Sequence, residues 1–419
     1  MFAQAAEALR RSKMEEIIMD DFDDVLVVDA DGHVSEGDID FAGRLPEKWR
    51  SQAPVKVKDN LGYTRNLIEG RIWSPSQGPA PGVTGPFTAK ARKSRPGMAD
   101  PVARLEDMDL EGIDVAILFG TPIALTVNGL MNGEFAAALC HVVNEWLLEY
   151  CSADPKRLRA VGLIPCQAPE LAVNELEYLA KNGAISAMLP TNVYGWNMGD
   201  PMFLPIYEAA EKIGMTLSVH PQTGHEGIPG VSGVMAAGSP RFFKYPYVHM
   251  TAFVFELMIA MMHMIGEGDF DRFPKLRVGF MEGGAGWLPF WMERFDEHLE
   301  KLAPQMPDLK RRPSEIIKSE QLIVTCESEE TGLDRVLQAA GAGTVCYASD
   351  YCHWDCNFPD SAKDIIEAGD LNFAQKKHIL GLNAIDFFEL KNLPEPRALK
   401  IARRSWETPG DRSVAYGGR

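Results

Sequence analysis

Eight short apolar runs, each followed by a helical or loop-rich stretch, set the tightest limit on how this chain can fold. They are Val25–Val28, Val115–Phe119, Ala160–Ile164, Ala184–Leu189, Thr216–Val219, Arg277–Met281, Leu322–Thr325 and Val345–Tyr347. Amphipathic stretches such as Glu134–Cys151, Ala168–Asn182 and Pro201–Ile213 lie between them. A strand buried on both faces reads as a continuous apolar run, and strand–helix alternation favours a parallel sheet. Eight such units in 419 residues predict a (β/α)8 TIM barrel. An open doubly wound sheet is the competing arrangement, but no G-x-G-x-x-G or G-x-x-x-x-G-K-[ST] follows any of the runs.

The expected organisation has three parts. Residues 1–24 form an N-terminal extension, 25–393 the barrel, and 394–419 a Pro- and Arg-rich C-terminal tail. Leu45–Met98 interrupts the barrel after strand 1 and is too long for a bare loop. It is expected to cover the barrel mouth, with Tyr63, Trp73 and Phe87 packing there or facing substrate. Arg65, Arg71, Lys90 and Arg92 are candidates for an anionic handle on that substrate.

A net charge of -17 disfavours a phosphate-backbone partner, so nucleic acid is not expected. Met250–Ile265 is apolar but contains Glu256 and His263, which disfavours a membrane span. Seven scattered cysteines read as buried thiols of a reducing compartment, and the cytoplasm is the expected location. The insertion and tail offer surface for a homodimer or larger assembly.

The chemistry is expected where barrel strands end. Strand 1 runs into Asp29-Ala30-Asp31-Gly32-His33, and alternation would turn Asp29, Asp31 and His33 to one side. Strand 5 ends in His220, strand 6 in Glu282-Gly283-Gly284, strand 7 in Glu327 and strand 8 in Asp350. Carboxylates and imidazoles gathered from five strand ends suit a divalent cation. His249 is a candidate for ligand or substrate contact at the start of a Met-rich helix. His353 and His225 are candidates for supporting or substrate-lining roles, with Asp29.

These motifs resemble those of the amidohydrolase-related TIM barrels, the branch that includes aromatic-acid decarboxylases, over about residues 25–390. The resemblance rests on Asp29–His33, on Phe273–Val278 leading to Glu282–Pro289, and on Ala348–Asp355. It implies metal ligands at Asp31, His33, His220 and Asp350. Two positions depart from the family pattern: Asp31 replaces the first His of His-x-His, and Glu282 replaces the strand-6 His. No Lys stands at the end of strand 4 (Leu189-Pro190-Thr191-Asn192), so a carbamylated bridging lysine is not expected.

The extra carboxylates make the chain similar to TIM-barrel nonheme diiron monooxygenases as well. That likeness implies a dinuclear iron site held by Asp31, His33, His220, Glu282, Asp350 and Glu327, with Glu282, Asp350 and His249 in catalysis. It would use dioxygen and an unidentified electron donor to hydroxylate a bulky hydrophobic acid or CoA thioester. The favoured expectation is this oxygenase. The alternative is a mononuclear zinc or manganese hydrolase or non-oxidative decarboxylase, in which Glu282 serves the missing histidine's acid–base role. A third reading is a binding barrel with a degraded site.

Overall fold

The computed structural model describes residues 22–37, 39–58, 64–73, 95–121, 123–221, 237, 242 and 245–407. Eight parallel strands follow one another in chain order around one sheet. They are β1 (Val28–Ser35), β2 (Val115–Thr121), β3 (Leu158–Leu163), β4 (Ser186–Leu189), β5 (Thr216–Val219), β6 (Val278–Phe280), β7 (Leu322–Cys326) and β8 (Val345–Tyr347). The ring is tied between its first and last strands beyond the end of β8. His33 N donates to Tyr351 O at 2.6 Å, and Asp350 N donates to Asp31 O at 3.0 Å. The chain is therefore a (β/α)8 barrel.

The surrounding helices are α1 (Pro101–Glu111), α2 (Gly133–Cys151), α3 (Pro169–Lys181), α4 (Leu204–Ile213), α5 (Tyr245–Gly266), α6 (Leu288–Leu302), α7 (Leu333–Ala340) and α8 (Ser361–Glu367). Their starts follow from local sequence. Asp100 accepts from Val102 N at 2.9 Å ahead of Pro101, and Asn132 accepts from Phe135 N at 3.1 Å ahead of α2. Gly112 and Gly214 end α1 and α4 in the left-handed region that glycine reaches without strain. By length and composition alone α5 could cross a membrane, yet its Leu257, Ala260, Met261, Met264 and Ile265 are buried in the core.

Strand 1 differs from its expected form. It begins at Val28 and runs through the ligand motif to Ser35, with a register shift against β2 between Asp29 and Gly32. That irregularity breaks strict two-residue alternation, so Asp29 does not share its neighbours' destination.

Within the insertion, Val55–Lys58, Thr64–Ile68 and Arg71–Trp73 form a three-stranded antiparallel sheet. Trp73 is buried, packs against Gly129 and donates from Nε1 to Ile68 O at 3.2 Å, so it is a core residue and not substrate-facing. Arg65 is also buried. Tyr63, Phe87, Lys90 and Arg92 lie outside the described residues.

In the C-terminal segment, α9 (Ala398–Glu407) packs on α1 through Leu399 and Ala402. Asp114 fastens its start. Its Oδ1 accepts from Arg397 N at 3.0 Å and Ala398 N at 2.9 Å, while Oδ2 accepts from Val27 N at 3.0 Å. All seven cysteines are buried.

Candidate metal centre

Six side chains from four strand ends converge at the C-terminal mouth of the barrel. Asp31, His33, His220 and Glu282 form one group whose ligand atoms all lie within 4.8 Å of one another, and His33, Glu282, Asp350 and His353 form a second. Asp31, His33 and His220 are fully buried. His33 Nε2 stands 3.7 Å from Asp31 Oδ1 and 3.4 Å from Asp350 Oδ1. His220 Nε2 lies 2.7 Å from Glu282 Oε2 and 3.7 Å from Asp31 Oδ1. His353 Nδ1 lies 2.7 Å from Asp350 Oδ1 and 3.6 Å from Glu282 Oε1, its ring stacked on His33 with centroids 4.0 Å apart.

The local backbone explains these directions. Glu282 (φ 57°) and Asp350 (φ 50°) both occupy the left-handed region, which is costly for non-glycine residues and typical of functional sites. The turn redirects each carboxylate from its strand toward the barrel axis. Glu282 N donates to Thr325 Oγ1 at 2.9 Å. The following Gly283-Gly284 turn is stabilised from β7's loop, where Glu330 accepts from Ala285 N at 3.0 Å and Gly286 N at 2.6 Å. His220 Nδ1 lies 2.6 Å from its neighbour Pro221's carbonyl oxygen. A carbonyl only accepts, so Nδ1 carries the proton and Nε2 is left as the ligand nitrogen.

The donor set fits a divalent cation. Among the described residues, both carboxylate oxygens of Asp31, Nε2 of His33, Nε2 of His220 and Oδ1 of Asp350 make no well-formed hydrogen bond. Buried polar atoms are otherwise almost always paired, and carboxylates crowded this closely repel. Burial pushes the Asp31 and Asp350 carboxyls well up, and the charge of Glu282 adds to both. Burial also drives His33 down, reinforced by His353. Burial opposes protonation of His353, but Asp350 and Glu282 outweigh it and hold that imidazole well above its usual range. For Glu282, burial is outweighed by His220, which keeps the carboxyl well below its usual range.

The remaining expected residues sort differently. Glu327 belongs to neither ligand group; it is exposed and lines a cleft of about 500 Å³ with Glu282, His249, Phe253, Ser349 and Asp355. The surrounding protein mass, and then Asp355 and Glu282, raise its carboxyl to about 8. His249 also stands outside the ligand groups. Its Nε2 is 3.7 Å from Asp355 Oδ2, and its ring meets Phe253 and Trp354. Asp29 is not a ligand either; it accepts from Ser349 N at 2.9 Å and Ser349 Oγ at 2.6 Å. His353, expected to support the ligands from behind, stands among them. His225 lies outside the described residues.

Sequence reasoning passed over Arg104, Asp107 and Glu111, all buried on α1 while Val102 and Leu110 are exposed. Their spacing of i, i+3 and i+7 puts a charged stripe where an amphipathic helix normally keeps apolar residues. That inversion was the available signal.

The amidohydrolase family profile matches residues 28–390. A 2-amino-3-carboxymuconate-6-semialdehyde decarboxylase from Dictyostelium discoideum is 25% identical over 306 residues, covering 70% of this chain and 77% of the relative. A gamma-resorcylate decarboxylase from Polaromonas is 26% identical over 302 residues, covering 68% and 86%. A 5-carboxyvanillate decarboxylase from Novosphingobium aromaticivorans, solved with manganese and a substituted nitrobenzoic acid, superposes with a TM-score of 0.65 at 21% identity, covering 88% and 98%.

These findings overturn the expected dioxygen-dependent hydroxylation: the relatives carry non-oxidative decarboxylase activities, and no dinuclear iron site is supported. The physical error was the premise of an imidazole-poor centre. His33, His220 and His353 all reach it, the last from a loop that strand-end reasoning left outside. A divalent-metal site is still supported, whereas two irons, an electron donor and a CoA ester are not.

Proposed function

The chain belongs to the amidohydrolase family, and from that premise we propose that it is a divalent-metal lyase releasing carbon dioxide from a small aromatic acid without dioxygen. The observation that carries this reading is the pair of overlapping His–carboxylate groups opening onto a cleft lined by Glu282, His249 and Phe253. The named activities of the relatives supply the reaction class. Asp31, His33, His220 and Asp350 would hold one manganese or zinc ion, with Glu282 beside them. When bound, that ion supplies the positive charge that draws and orients the substrate carboxylate.

The protein's own groups account for the remaining requirements. His249, Phe253 and Trp354 form an aromatic wall against which a planar ring can rest. Decarboxylation of a ring needs a proton delivered to the carbon that loses its carboxyl group. A carboxylic acid is a poor donor for that near neutral pH, whereas an imidazolium is suited to it. His353 provides one, with Nδ1 held by Asp350 and Glu282. The proton adds to the ring carbon, the carbon–carboxylate bond breaks, and its electron pair restores the ring as carbon dioxide leaves. The imidazole missing from strand 6 is thus replaced from the loop after strand 8.

The test is an anaerobic assay of chelator-treated protein reloaded with manganese or zinc, against a panel of hydroxy- and amino-substituted aromatic acids. Carbon dioxide release with one ion per chain supports the reading. Failure of the whole panel with the metal bound, or turnover of amide or ester substrates alone, overturns it.

A further inference from the structure

A buried cation stands directly behind the ligands, and the activity proposed above does not use it. Arg104 on α1 has no solvent exposure. Its Nη1 donates to the backbone oxygen of His33 at 3.0 Å, its Nη2 lies 3.6 Å from Asp29 Oδ2, and its guanidinium sits 3.7 Å from the centre of the Tyr351 ring. Asp29 in turn accepts from Ser349 N, Ser349 Oγ and Asp31 N at 2.9, 2.6 and 3.2 Å. One ion pair therefore touches the backbone or immediate neighbour of Asp31, His33 and Asp350.

We propose that Arg104, acting with Asp29, is the positioning residue of the metal centre, locking the strand-1 and strand-8 ligands in one register. Three observations support it. Taking a guanidinium out of water is costly unless it is paired and hydrogen-bonded, so a space-filling role would be better served by methionine or leucine. The two strands it joins are the first and last of the barrel, where closure depends on His33 N to Tyr351 O and Asp350 N to Asp31 O. Gly32 is shaped for the pair: a Cβ there would come within 2.5 Å of Arg104 Nη2 and 2.6 Å of Asp29 Oδ2.

Electrostatics set the expected sign. Paired, Arg104 and Asp29 carry no net charge, so together they neither repel nor attract the incoming ion strongly. Without Arg104, the Asp29 carboxylate loses the cationic partner that fixes its orientation, and its grip on Ser349 N and Oγ slackens. The segment carrying Asp350 loosens. Without the Asp29 charge, Arg104 remains as an unbalanced cation behind the site. Either loss should weaken metal binding, whereas losing both removes the mismatch. Groups that orient metal ligands typically alter affinity 10- to 100-fold.

The test is manganese titration of the metal-free full-length chain against a fluorescent chelator, with the spectrum of bound Mn(II) recorded by electron paramagnetic resonance. Arg104→Met and Asp29→Asn are each expected to weaken binding at least tenfold and to broaden the Mn(II) signal. The double variant should be no weaker than the worse single variant. Asp114→Ala separates general destabilisation from positioning, since it should lower the melting temperature and keep manganese affinity within twofold. Where Arg104→Met does not fold, Arg104→Lys keeps the charge but cannot reach both His33 O and Asp29. A fivefold or larger loss is expected there. Wild-type affinity in Arg104→Met or Arg104→Lys overturns the proposal, as do losses that simply multiply in the double variant. The readout is metal affinity, so an enzyme that released no carbon dioxide would overturn the lyase reading and leave this one standing.

Discussion

Asp350 and His353 are three residues apart and 2.7 Å apart in space, yet they are expected to fail in different ways. His353→Asn removes the imidazole that holds the mobile proton while leaving Asp31, His33, His220 and Asp350 in place. Turnover should fall 10²- to 10⁴-fold, the usual contribution of a general acid, with manganese affinity changed less than tenfold. Steady-state kinetics beside a metal titration separates the two quantities. Asp350→Asn should lose metal at least tenfold but raise the melting temperature of the metal-free chain. The substitution removes an ionisable group whose charged form burial and Glu282 disfavour, and asparagine tolerates the left-handed backbone at φ 50°. Unchanged melting in chelator would show that crowding at the mouth is not a source of instability.

At the scale of elements, the joint between β1, β2 and α9 depends on one carboxylate. Asp114 accepts three backbone N–H bonds, from Val27, Arg397 and Ala398, and so secures both the entry to β1 and the start of the last helix. Truncation strands those donors at a buried site. Asp114→Ala should destabilise the chain by roughly 3 kcal/mol, read as a lower denaturant midpoint with an unchanged slope. The strand pattern was legible because parallel strands buried on both faces need uninterrupted apolar runs. Thr216–Val219 and Val345–Tyr347 fall where the sequence places them. Helix α1 was less legible. Its buried Arg104, Asp107 and Glu111 serve groups far away in the chain, so the helix period points its apolar Val102 and Leu110 outward.

For the whole molecule, several buried acids set the pH dependence of folding. Burial raises Glu36 to about 7, Glu111 to about 8 and Asp269 to about 7. Each holds its proton in the folded chain at pH values where the unfolded chain has released it. The folded state therefore binds more protons between about pH 4 and 8, and stability falls as pH rises through that window. The metal-free chain should be more stable at pH 5.5 than at pH 8. Glu111→Gln should narrow the difference by a few kcal/mol, because its buried carboxyl is raised furthest of the three. Metal loading should act in the opposite sense, since binding displaces protons from Asp31 and Asp350 and strengthens with pH. Melting curves at the two pH values, with chelator and with manganese, check both signs. A metal-free chain more stable at pH 8 would contradict them.

The order of apolar runs in the sequence was enough to determine an eightfold parallel barrel, and the polar residues after four of those runs marked Asp31, His33, His220, Glu282 and Asp350 for its mouth. Both are local consequences of chain period: two residues for a strand, and chemistry where the strand stops. The tertiary structure alone decided how those residues divide. A register shift in β1 sends Asp29 to Ser349 and Arg104, while left-handed turns aim Glu282 and Asp350 inward. Ring stacking on His33 brings His353 to the edge of the ligands, and Glu327 is left in the open cleft. These outcomes depend on contacts between residues as much as 320 positions apart, such as Ser349 with Asp29, and no spacing within one segment records them.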